Sequence, residues 1–296
     1  MRVLVAGATS VPGRPLLPEL VARGHDVVGM TSSAVKTDQI AATGARPLVA
    51  DVFDADGLGK ALAAVAPEVV VSLLTTLPKL GPKRPKDFEP AKRLWSTGVS
   101  NLVDAARRAG VRRIVAESMA FAYGYPTTGP ASVDESDPYP GPPPKGGAEM
   151  LAAMRGMEQN VLSFGGIVLR YGVFYGPGVP HDEVFRRLAK WCLLPAMTGR
   201  GILPWIHIDD VAAATATALD RGRGGQMYNI VDDRPQPFGD YVRELAAQLH
   251  RPRPLPLSHR LVGLFASYPA LAFGTTWLPL SNAKAKEELG WTPRPR

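Results

Sequence analysis

Two glycines, Gly7 and Gly13, follow a short apolar run at the start of the chain. The segment VLVAGATSVPG has the pattern of a strand, a tight turn and the beginning of a helix. Such a turn can bind phosphate, because it brings backbone amides and a helix N-terminus to one point. The middle position of the three-glycine dinucleotide fingerprint is Ser10, whose hydroxyl can donate to a phosphate oxygen. The expected diphosphate contacts are Gly7, Thr9, Ser10, Val11, Pro12 and Gly13.

The nucleoside half of this ligand is expected beside the next two strands. A strand that binds NAD usually ends in a carboxylate, which holds the ribose 2′-hydroxyl. The second apolar run, DVVGMT, ends instead in Thr31 and Ser32, with Lys36 shortly after. No acid there repels a 2′-phosphate, so the sequence favours NADP over NAD, although the usual arginine is missing. Asp51 and Val52, after the third run, are expected at the adenine, with a helix cap as the alternative for this segment.

Strand and helix patterns alternate through the first half of the chain. The runs RVLVAG, EVVVSLL and VRRIVAES are separated by helical patterns, and GIVLRYG and QMYNIV follow later. Strands that alternate with helices form a parallel sheet covered on both faces. The predicted fold class is therefore α/β, a Rossmann doubly wound parallel sheet with a smaller discontinuous C-terminal substrate domain. Ligands of such sheets bind at the carboxyl ends of the strands.

Two segments rich in proline and glycine, residues 77–90 and 125–147, interrupt this alternation. Both follow strands, so we expect them beside the ligand. After Tyr175 the pattern becomes irregular and apolar. We predict a dinucleotide-binding domain over 1–175, to which 205–232 returns, and a substrate-binding domain over 176–204 and 233–296.

Composition limits the other classes of function. The chain has 296 residues, a formal net charge of +7, five histidines and one cysteine, Cys192, so no internal disulfide can form. A single cysteine fits a reducing compartment. Basic residues are scattered, whereas nucleic-acid-binding proteins more often collect them on one face. The histidines lack metal-ligand spacing. We therefore expect a cytoplasmic protein that binds a small molecule, with no metal, nucleic acid or membrane.

One uncharged segment, residues 261–280, is long enough to span a bilayer. However, Pro269, Pro279, two glycines and several hydroxyl side chains divide it into short pieces. A buried helix and a loop that line an apolar pocket are therefore favoured over a membrane span.

Five further segments resemble motifs of one enzyme family and occur in the family's order. They are GVSNLVDAARRAGVRRIV (98–115), SMAFAYG (118–124), LRYGVFYGPG (169–178), WIHIDDVAAA (205–214) and SNAKAKEELGWTP (281–293). Together they resemble the extended short-chain dehydrogenase/reductase superfamily, in its NAD(P)-dependent epimerase/dehydratase branch. The resemblance implies a Rossmann domain with a substrate domain and suggests a homodimer. Further expected cofactor contacts are Leu74, Tyr171 and Val173.

In that family a tyrosine exchanges the proton, and a lysine four residues later lowers its pKa. The chemistry is acid–base catalysis by a group whose pKa a neighbouring cation tunes. If Lys145 is the family's lysine, the tyrosine position is Gly141. If the register follows Glu158, the two positions are Met150 and Met154. Neither register contains the tyrosine, so the usual proton transfer is predicted to be absent.

The family's orienting hydroxyl is missing as well. Its position, counted back from Tyr123, is Met119, and Ser118 lies one residue early, on the opposite face of a strand. The candidates for catalysis are therefore Ser118, Tyr123 and Tyr175. Tyr139 has the wrong distance from the next lysine for a helical pair, which needs three or four residues.

The substrate side of the chain is apolar. Val173 replaces an asparagine typical of nucleotide-sugar members, and residues 183–205 and 261–280 are rich in Leu, Trp, Phe and Met. Such a lining favours an apolar or aromatic molecule, although the same residues can simply form a core. His207 is expected to join the domains or to contact substrate. Three hypotheses remain: a reductase or isomerase with an unusual proton donor, a dinucleotide sensor or structural subunit, and a redox-neutral cyclase or dehydratase.

Overall fold

A computed structural model describes residues 1–137 and 141–295. In this part of the chain the strands are β1 (Arg2–Ala6), β2 (Asp26–Thr31), β3 (Arg46–Val49), β4 (Val69–Ser72), β5 (Arg113–Met119), β6 (Ile167–Tyr171), β7 (Val173–Tyr175), β8 (Ala196–Thr198), β9 (Trp205–His207), β10 (Met227–Ile230) and β11 (Pro256–Ser258). The helices are α1 (Gly13–Ala22), α2 (Thr37–Ala41), α3 (Ala55–Val65), α4 (Glu89–Arg93), α5 (Val99–Arg108), α6 (Ala148–Ser163), α7 (Pro180–Lys190), α8 (Ile208–Arg221), α9 (Phe238–Gln248), α10 (His259–Gly263) and α11 (Ser267–Gly274).

A sheet of seven strands organises the fold. Its order is β10-β6-β5-β4-β1-β2-β3, and every neighbouring pair in it is parallel. The central strand β4, with sequence VVVS, is buried along its whole length. Valine-rich strands without polar alternation are typical of a parallel sheet covered on both faces. The predicted fold class is confirmed.

Helices cover the two faces of this sheet. On one face α1 packs against α8, and the buried side chains there include Val5, Leu16 and Val211. On the other face α3 packs against α5 and buries Leu58 and Leu102. Each fully buried aliphatic side chain contributes about 1.5–3 kcal/mol relative to exposure. The two apolar layers therefore hold the carboxyl ends of the strands at one rigid edge.

The helical pattern between β4 and β5 does not form one uninterrupted α-helix. The structure has α4, then a π-helical turn at Leu94–Gly98, and then α5. This wider turn packs against α6. Such π-helical turns are frequent at functional sites.

The remaining elements form a smaller layer. β8 pairs with β11 and β7 with β9, both in parallel, and α7 packs against α9. Trp205 stacks on Tyr241, with 4.1 Å between ring centroids, and so joins β9 to α9. The division into two domains stays a prediction.

Residues 261–280 form the end of α10, all of α11 and a following loop. In this segment Tyr268 and Ala272 are buried, whereas Leu264 and Phe265 are exposed. Over the described ranges, no helix has the length and apolarity that a membrane crossing requires.

Candidate functional site

A cleft of about 720 Å³ opens where the strands of the large sheet end. Its walls come from the segments that follow β1 to β6, with further residues from α7 and α11. These segments meet because parallel strands all end at the same edge. The volume lies within the roughly 300–1,000 Å³ of cavities that bind small molecules.

Gly7 and Gly13 leave the space that a diphosphate needs. Gly7 has a φ of +82°, and a Cβ there would stand 2.2 Å from the carbonyl oxygen of Leu73. A Cβ on Gly13 would stand 2.5 Å from the carbonyl oxygen of Gly7. Only glycine at these positions lets α1 begin directly against β1. Gly7 lines the cleft, and Gly13 is buried at the start of the helix. The turn fits the close backbone approach of a dinucleotide.

Thr9, Ser10, Val11 and Pro12 form the cleft side of this turn. The Gly13 amide donates a hydrogen bond of 3.1 Å to Ser10 Oγ, which closes the turn. A hydroxyl has one proton and two lone pairs, so Ser10 retains its proton for a phosphate oxygen. The positive end of the α1 dipole also favours an anion at this point.

The residues predicted to contact the nucleoside line the same cleft. They are Thr31, Ser32, Lys36, Asp51 and Val52. Thr31 is buried, and its Oγ1 accepts a hydrogen bond of 3.3 Å from the amide two residues later. Ser32 and Lys36 are exposed. The Asp51 carboxylate accepts from the amide of residue 53 at 2.9 Å, and Asp54 caps α3.

Arg14 is a cleft residue that the sequence reasoning missed. It lies in the first turn of α1, is exposed, and lines the cleft together with Ser32 and Lys36. Its Nε donates to the Thr9 carbonyl oxygen over 3.4 Å, which keeps the guanidinium beside the phosphate turn. A guanidinium suits a phosphate in both charge and geometry. Its position directly after Gly13 was the signal in the sequence for this cation beside the turn.

Leu74, Tyr171 and Val173 also line the cleft. Tyr171 is buried, and its hydroxyl forms a hydrogen bond of 2.7 Å with Thr215 Oγ1 on α8. Burial raises the pKa of Tyr171, so its phenol stays protonated. The hydroxyl therefore joins β6 to α8, and the rest of the residue faces the cleft.

Ser118 lines the cleft, but its hydroxyl is engaged elsewhere. Its Oγ donates to Glu158 Oε1 over 2.6 Å. Arg170 donates to both oxygens of Glu158, at 2.8 and 2.7 Å. The Arg170 and Glu158 side chains are 1% and 0% exposed. A charge buried so completely requires this full set of partners. The hydroxyl of Ser118 therefore completes a buried ion pair that joins β5 and β6 to α6.

The structure does not bring Tyr123 to the cleft lining. Its side chain is fully buried, and its hydroxyl lies 3.0 Å from the Asp134 carbonyl oxygen and 3.2 Å from Asn229 Oδ1. The guanidinium of Arg170 lies 4.4 Å from its ring centroid. Burial raises the pKa of Tyr123 to about 12. These contacts give Tyr123 a role in packing.

Tyr175 is also outside the described cleft lining. Its hydroxyl donates to Asp232 Oδ2 at 3.0 Å, and its ring centroid lies 5.1 Å from that of His207. His207 Nδ1 accepts from the Asp209 amide at 3.3 Å and caps α8. A Cβ on Gly176 would stand 2.6 Å from His207 Nε2. These contacts tie β7 and β9 to the loop after β10.

The two alternative alignments of the family's tyrosine and lysine place these positions in different surroundings. Tyr139 lies outside the described residues. Lys145 precedes α6 and is exposed. Met150 and Met154 lie one turn apart on α6; both are buried, and Met154 lines the cleft. The register anchored on Glu158 thus places one of its positions at the cleft.

Glu117 is a second cleft residue that the sequence reasoning missed. It lies on β5, lines the cleft, and has a buried Oε2 without a hydrogen-bond partner in the described residues. Burial raises the pKa of Glu117 to about 8, so this carboxyl is protonated at neutral pH. An acidic residue inside the apolar strand VRRIVAES was the signal for it.

Part of the cleft wall is apolar and aromatic. Its large side chains include Leu94, Trp95, Phe121, Phe185, Tyr268 and Phe273. Behind them, the ring centroids of Phe121 and Tyr125 stack at 5.3 Å, and the hydroxyls of Tyr125 and Tyr268 lie 2.8 Å apart. A rigid aromatic wall of this kind suits a flat apolar ligand.

Metal ligands do not converge in the part of the chain that the structure describes, where no three His, Cys, Asp or Glu side chains form a possible site.

A parallel sheet of this order, with a glycine turn that admits a diphosphate after its first strand, defines a dinucleotide-binding Rossmann protein. Residues 3–231 match the NAD dependent epimerase/dehydratase family. The chain belongs to this family, and the resemblance seen in its sequence motifs is confirmed.

Relatives and solved structures agree with this assignment. A 3-diazoavenalumate denitrifying reductase from a Streptomyces species is 38% identical, over 99% of this chain and 96% of its own. The UDP-glucose 4-epimerase of Thermotoga maritima, solved with UDP-glucose, has a TM-score of 0.80 at 19% identity and covers 100% of this chain and 94% of its own. That of Thermus thermophilus, solved with NAD, has a TM-score of 0.76 at 23% identity and covers 99% and 94%. Relatives of this kind support an oxidoreductase-like or epimerase-like activity.

Proposed function

We propose that this protein is a reductase that transfers hydride from a nicotinamide dinucleotide to a small aromatic acceptor. The observation that carries the proposal is the composition of one continuous cleft. Part of its lining is the glycine turn that fits a diphosphate, and another part is a wall of aromatic and aliphatic side chains. A cofactor and an apolar acceptor can therefore meet in one cleft.

We infer that the cofactor is NADPH, which supplies the hydride. The turn from Gly7 to Gly13 would hold its diphosphate through backbone amides and Ser10 Oγ. Arg14, Lys36 and Ser32 would hold the 2′-phosphate, because two cations and a hydroxyl line that part of the cleft without a competing carboxylate at the end of β2. Val52 would pack on the adenine, and the backbone around Leu74 and Val173 would border the nicotinamide.

The acceptor we propose is a diazo compound on an aromatic frame, from which nitrogen is released. Support for the diazo group comes from the relative that is 38% identical and is named a denitrifying reductase of 3-diazoavenalumate. The aromatic frame fits the wall formed by Phe121, Tyr268 and Phe273. Lys79 also lines the cleft, and its ammonium favours an acceptor that carries a carboxylate.

We also propose that the family's tyrosine and lysine are absent from this protein, with Met150 and Met154 at their positions. Support comes from Met154, which lines the cleft one helical turn after Met150. A thioether donates no proton and carries no charge that could lower a neighbouring pKa. Since a neutral acceptor needs one proton for each hydride, another group must supply it.

The methionines also favour a second candidate function. A protein without the usual acid can bind the dinucleotide as a sensor or structural subunit, or can use it as a scaffold for a redox-neutral cyclisation or dehydration. This candidate predicts tight binding of NADPH without oxidation of NADPH by any acceptor.

The test combines calorimetry and absorbance. The purified protein is titrated with NADPH, NADP⁺, NADH and NAD⁺, and NADPH oxidation is then followed with aromatic diazo and carbonyl acceptors. The proposal expects selective binding of the phosphorylated cofactors and oxidation of NADPH with stoichiometric release of nitrogen from a diazo acceptor. Binding without oxidation supports the second candidate, and no binding of any dinucleotide contradicts both.

Arg14→Ala tests the cofactor assignment. Loss of a charge-assisted phosphate contact of about 1.5–3 kcal/mol raises the Kd for NADPH roughly 10–100-fold. The Kd for NADH should change less than about threefold, since NADH has no 2′-phosphate. Lys60→Ala is the control, because Lys60 is exposed on α3 and outside the described cleft lining. Equal weakening for both cofactors would show that Arg14 supports the turn instead.

We retain three further expectations as proposals: the domain division at residues 175, 205 and 232, a homodimer, and a cytoplasmic location. Light scattering on the purified protein measures the oligomeric state. A monomer at all concentrations would contradict the dimer.

A further inference from the structure

We propose that Glu117 is the proton donor of the reduction, in place of the family's tyrosine. This inference rests on the proposed function, because it assigns one residue of this chain to the proton that hydride transfer to a neutral acceptor requires. Three observations carry it: the place of Glu117 on β5, its lack of a hydrogen-bond partner in the described residues, and its contrast with the second buried carboxyl nearby.

Glu117 lies on β5 two residues before Met119, the position that the resemblance gives to the family's orienting hydroxyl. Glu117 and Met119 are about 6.6 Å apart along β5, near the end of the strand that borders the cleft. Both residues line the cleft, and both have paired neighbours on β6, where Glu117 lies opposite Leu169 and Met119 opposite Tyr171.

The carboxyl of Glu117 has no partner that would hold it for a structural purpose. Its Oε2 is buried, and no described residue donates a hydrogen bond to it. Glu158, by contrast, accepts bonds from Ser118 and from two nitrogens of Arg170. A partly buried carboxyl with one enclosed oxygen and no partner for it is costly to keep. Because Glu117 borders the cleft, the missing partner is expected to be a ligand.

Burial keeps this carboxyl in its acid form. Desolvation raises the pKa of Glu117 to about 8, and no cation opposes that shift. The elements packed against β5 are β4, β6, α6 and α8. Tyr171 on β6 has its hydroxyl bonded to Thr215 of α8, and Arg170 on β6 is paired with Glu158 on α6. His181 and Glu183 on α7 line the same cleft. His181 Nε2 bonds the Phe174 carbonyl oxygen at 2.8 Å, and burial lowers the pKa of His181. Neutral His181 therefore offers no charge that would ionise Glu117.

The proton and the electrons balance for two kinds of neutral acceptor. With a carbonyl compound, the carbon takes hydride and the oxygen takes the proton of Glu117, which leaves an alcohol and the Glu117 carboxylate. With a neutral diazo compound, the carbon first takes the proton of Glu117. Hydride then replaces N₂ at that carbon, and N₂ leaves with the electron pair of the broken C–N bond. In both cases Glu117 regains a proton from water at the cleft.

An aryldiazonium cation provides an internal control. Its carbon takes hydride and releases N₂ without any added proton. The proposed donor is therefore needed for neutral acceptors and dispensable for this cation. A residue with a purely structural role would affect both acceptors equally.

The main experiment compares Glu117→Gln with the unmodified protein on both acceptor types. Loss of a general acid lowers kcat for a neutral acceptor by roughly 10²–10⁴-fold, whereas kcat for the diazonium cation should stay within about threefold. The unmodified protein should lose activity on the neutral acceptor as the pH rises through about 8, because only the protonated carboxyl donates. The variant should lack this pH dependence. Glu135→Gln is the matched control, since burial also raises the pKa of Glu135, which bonds the Asn229 amide outside the described cleft lining.

A second measurement does not depend on turnover. If Glu117 borders the nicotinamide, its carboxyl would feel the positive ring of a bound oxidised dinucleotide, its pKa would fall, and up to one proton would be released at pH 7. Calorimetry in two buffers of different ionisation enthalpy measures this release. It should be absent with the reduced dinucleotide and with Glu117→Gln, while the Kd values stay similar.

Each result has a defined meaning. The donor assignment is wrong if Glu117→Gln keeps the rate and the pH profile on neutral acceptors. It is also wrong if the variant loses activity equally on the neutral acceptor and on the diazonium cation. In both cases the reductase proposal stands. If the unmodified protein binds the cofactor but reduces neither acceptor, the reductase proposal fails, and the donor assignment falls with it. A selective loss on neutral acceptors, together with the loss of proton release, supports Glu117 as the donor.

Discussion

Replacement of Ser118 by alanine separates a structural role from a catalytic one. Ser118 is a candidate catalytic hydroxyl one residue before the position that the resemblance gives to the orienting hydroxyl, but its Oγ donates to Glu158 over 2.6 Å at a site that is 4% exposed. A hydrogen bond to a charged group contributes about 1.5–3 kcal/mol. Since Arg170 still binds both carboxylate oxygens in the variant, the lower end of this range applies. The melting temperature should fall by about 2–3 °C, because unfolding 296 residues carries an entropy of about 0.6 kcal/mol per kelvin.

Activity should respond very differently. Ser118→Ala should keep kcat for NADPH oxidation within about threefold, whereas loss of a hydroxyl that takes part in proton transfer costs roughly 10²-fold or more. Thermal unfolding by circular dichroism and steady-state kinetics measure the two effects. Ser163→Ala is the control, because its exposed Oγ bonds only a backbone carbonyl. Full stability combined with a hundredfold loss of kcat would refute the structural role.

The remaining predictions concern the phosphate turn, a buried tyrosine, the cleft carboxyl and the buried ion pair. Gly7→Ala places a Cβ at φ +82° and 2.2 Å from a carbonyl oxygen, so calorimetry should detect no dinucleotide binding; a normal Kd would contradict the assigned turn. Tyr123→Phe removes a hydroxyl that bonds interior groups, so the free energy of unfolding should fall by about 1 kcal/mol while kcat is unchanged; a large loss of kcat would return Tyr123 to the catalytic candidates. Glu117 binds a proton more tightly in the folded state than in the unfolded state. The free energy of unfolding should therefore fall by up to about 1.4 kcal/mol for each pH unit between pH 4.5 and about 8, and urea titrations of Glu117→Gln should lack this slope. Glu158→Gln leaves the charge of Arg170 buried and uncompensated, so denaturant unfolding should show a loss of about 3–5 kcal/mol of stability; a loss below about 1 kcal/mol would mean that water reaches Arg170 in the variant.

Local pattern was sufficient for the sheet and for the phosphate turn. The apolar runs that became β1, β2, β4, β5 and β6 were recognisable because a strand buried on both faces needs consecutive apolar residues. The turn at Gly7 was recognisable because its conformation and its close approach to Leu73 require glycine. Both constraints act between residues that are close together in the chain, so the local sequence is enough to recognise them.

The sequence pattern did not show which way the side chains at the cleft point. Ser118 and Glu117 are adjacent, yet one points to the ion pair on α6 and the other borders the cleft without a partner among the described residues. Their roles depend on the alternation along β5 and on which helix covers each face. Arg14 is similar, because it lines the cleft from the first turn of α1, whose place is fixed by its packing against α8 and β2.

The sequence by itself thus determined the fold class, the family motifs and the position of the dinucleotide turn, because each depends on residues close together in the chain. Only the tertiary structure decided that Ser118 and Tyr123 are bonded within the interior, and that Arg14 and Glu117 lie at the cleft. Burial, hydrogen-bond partners and a shifted pKa arise from residues far apart in sequence, so folding must bring them together before any of them is defined.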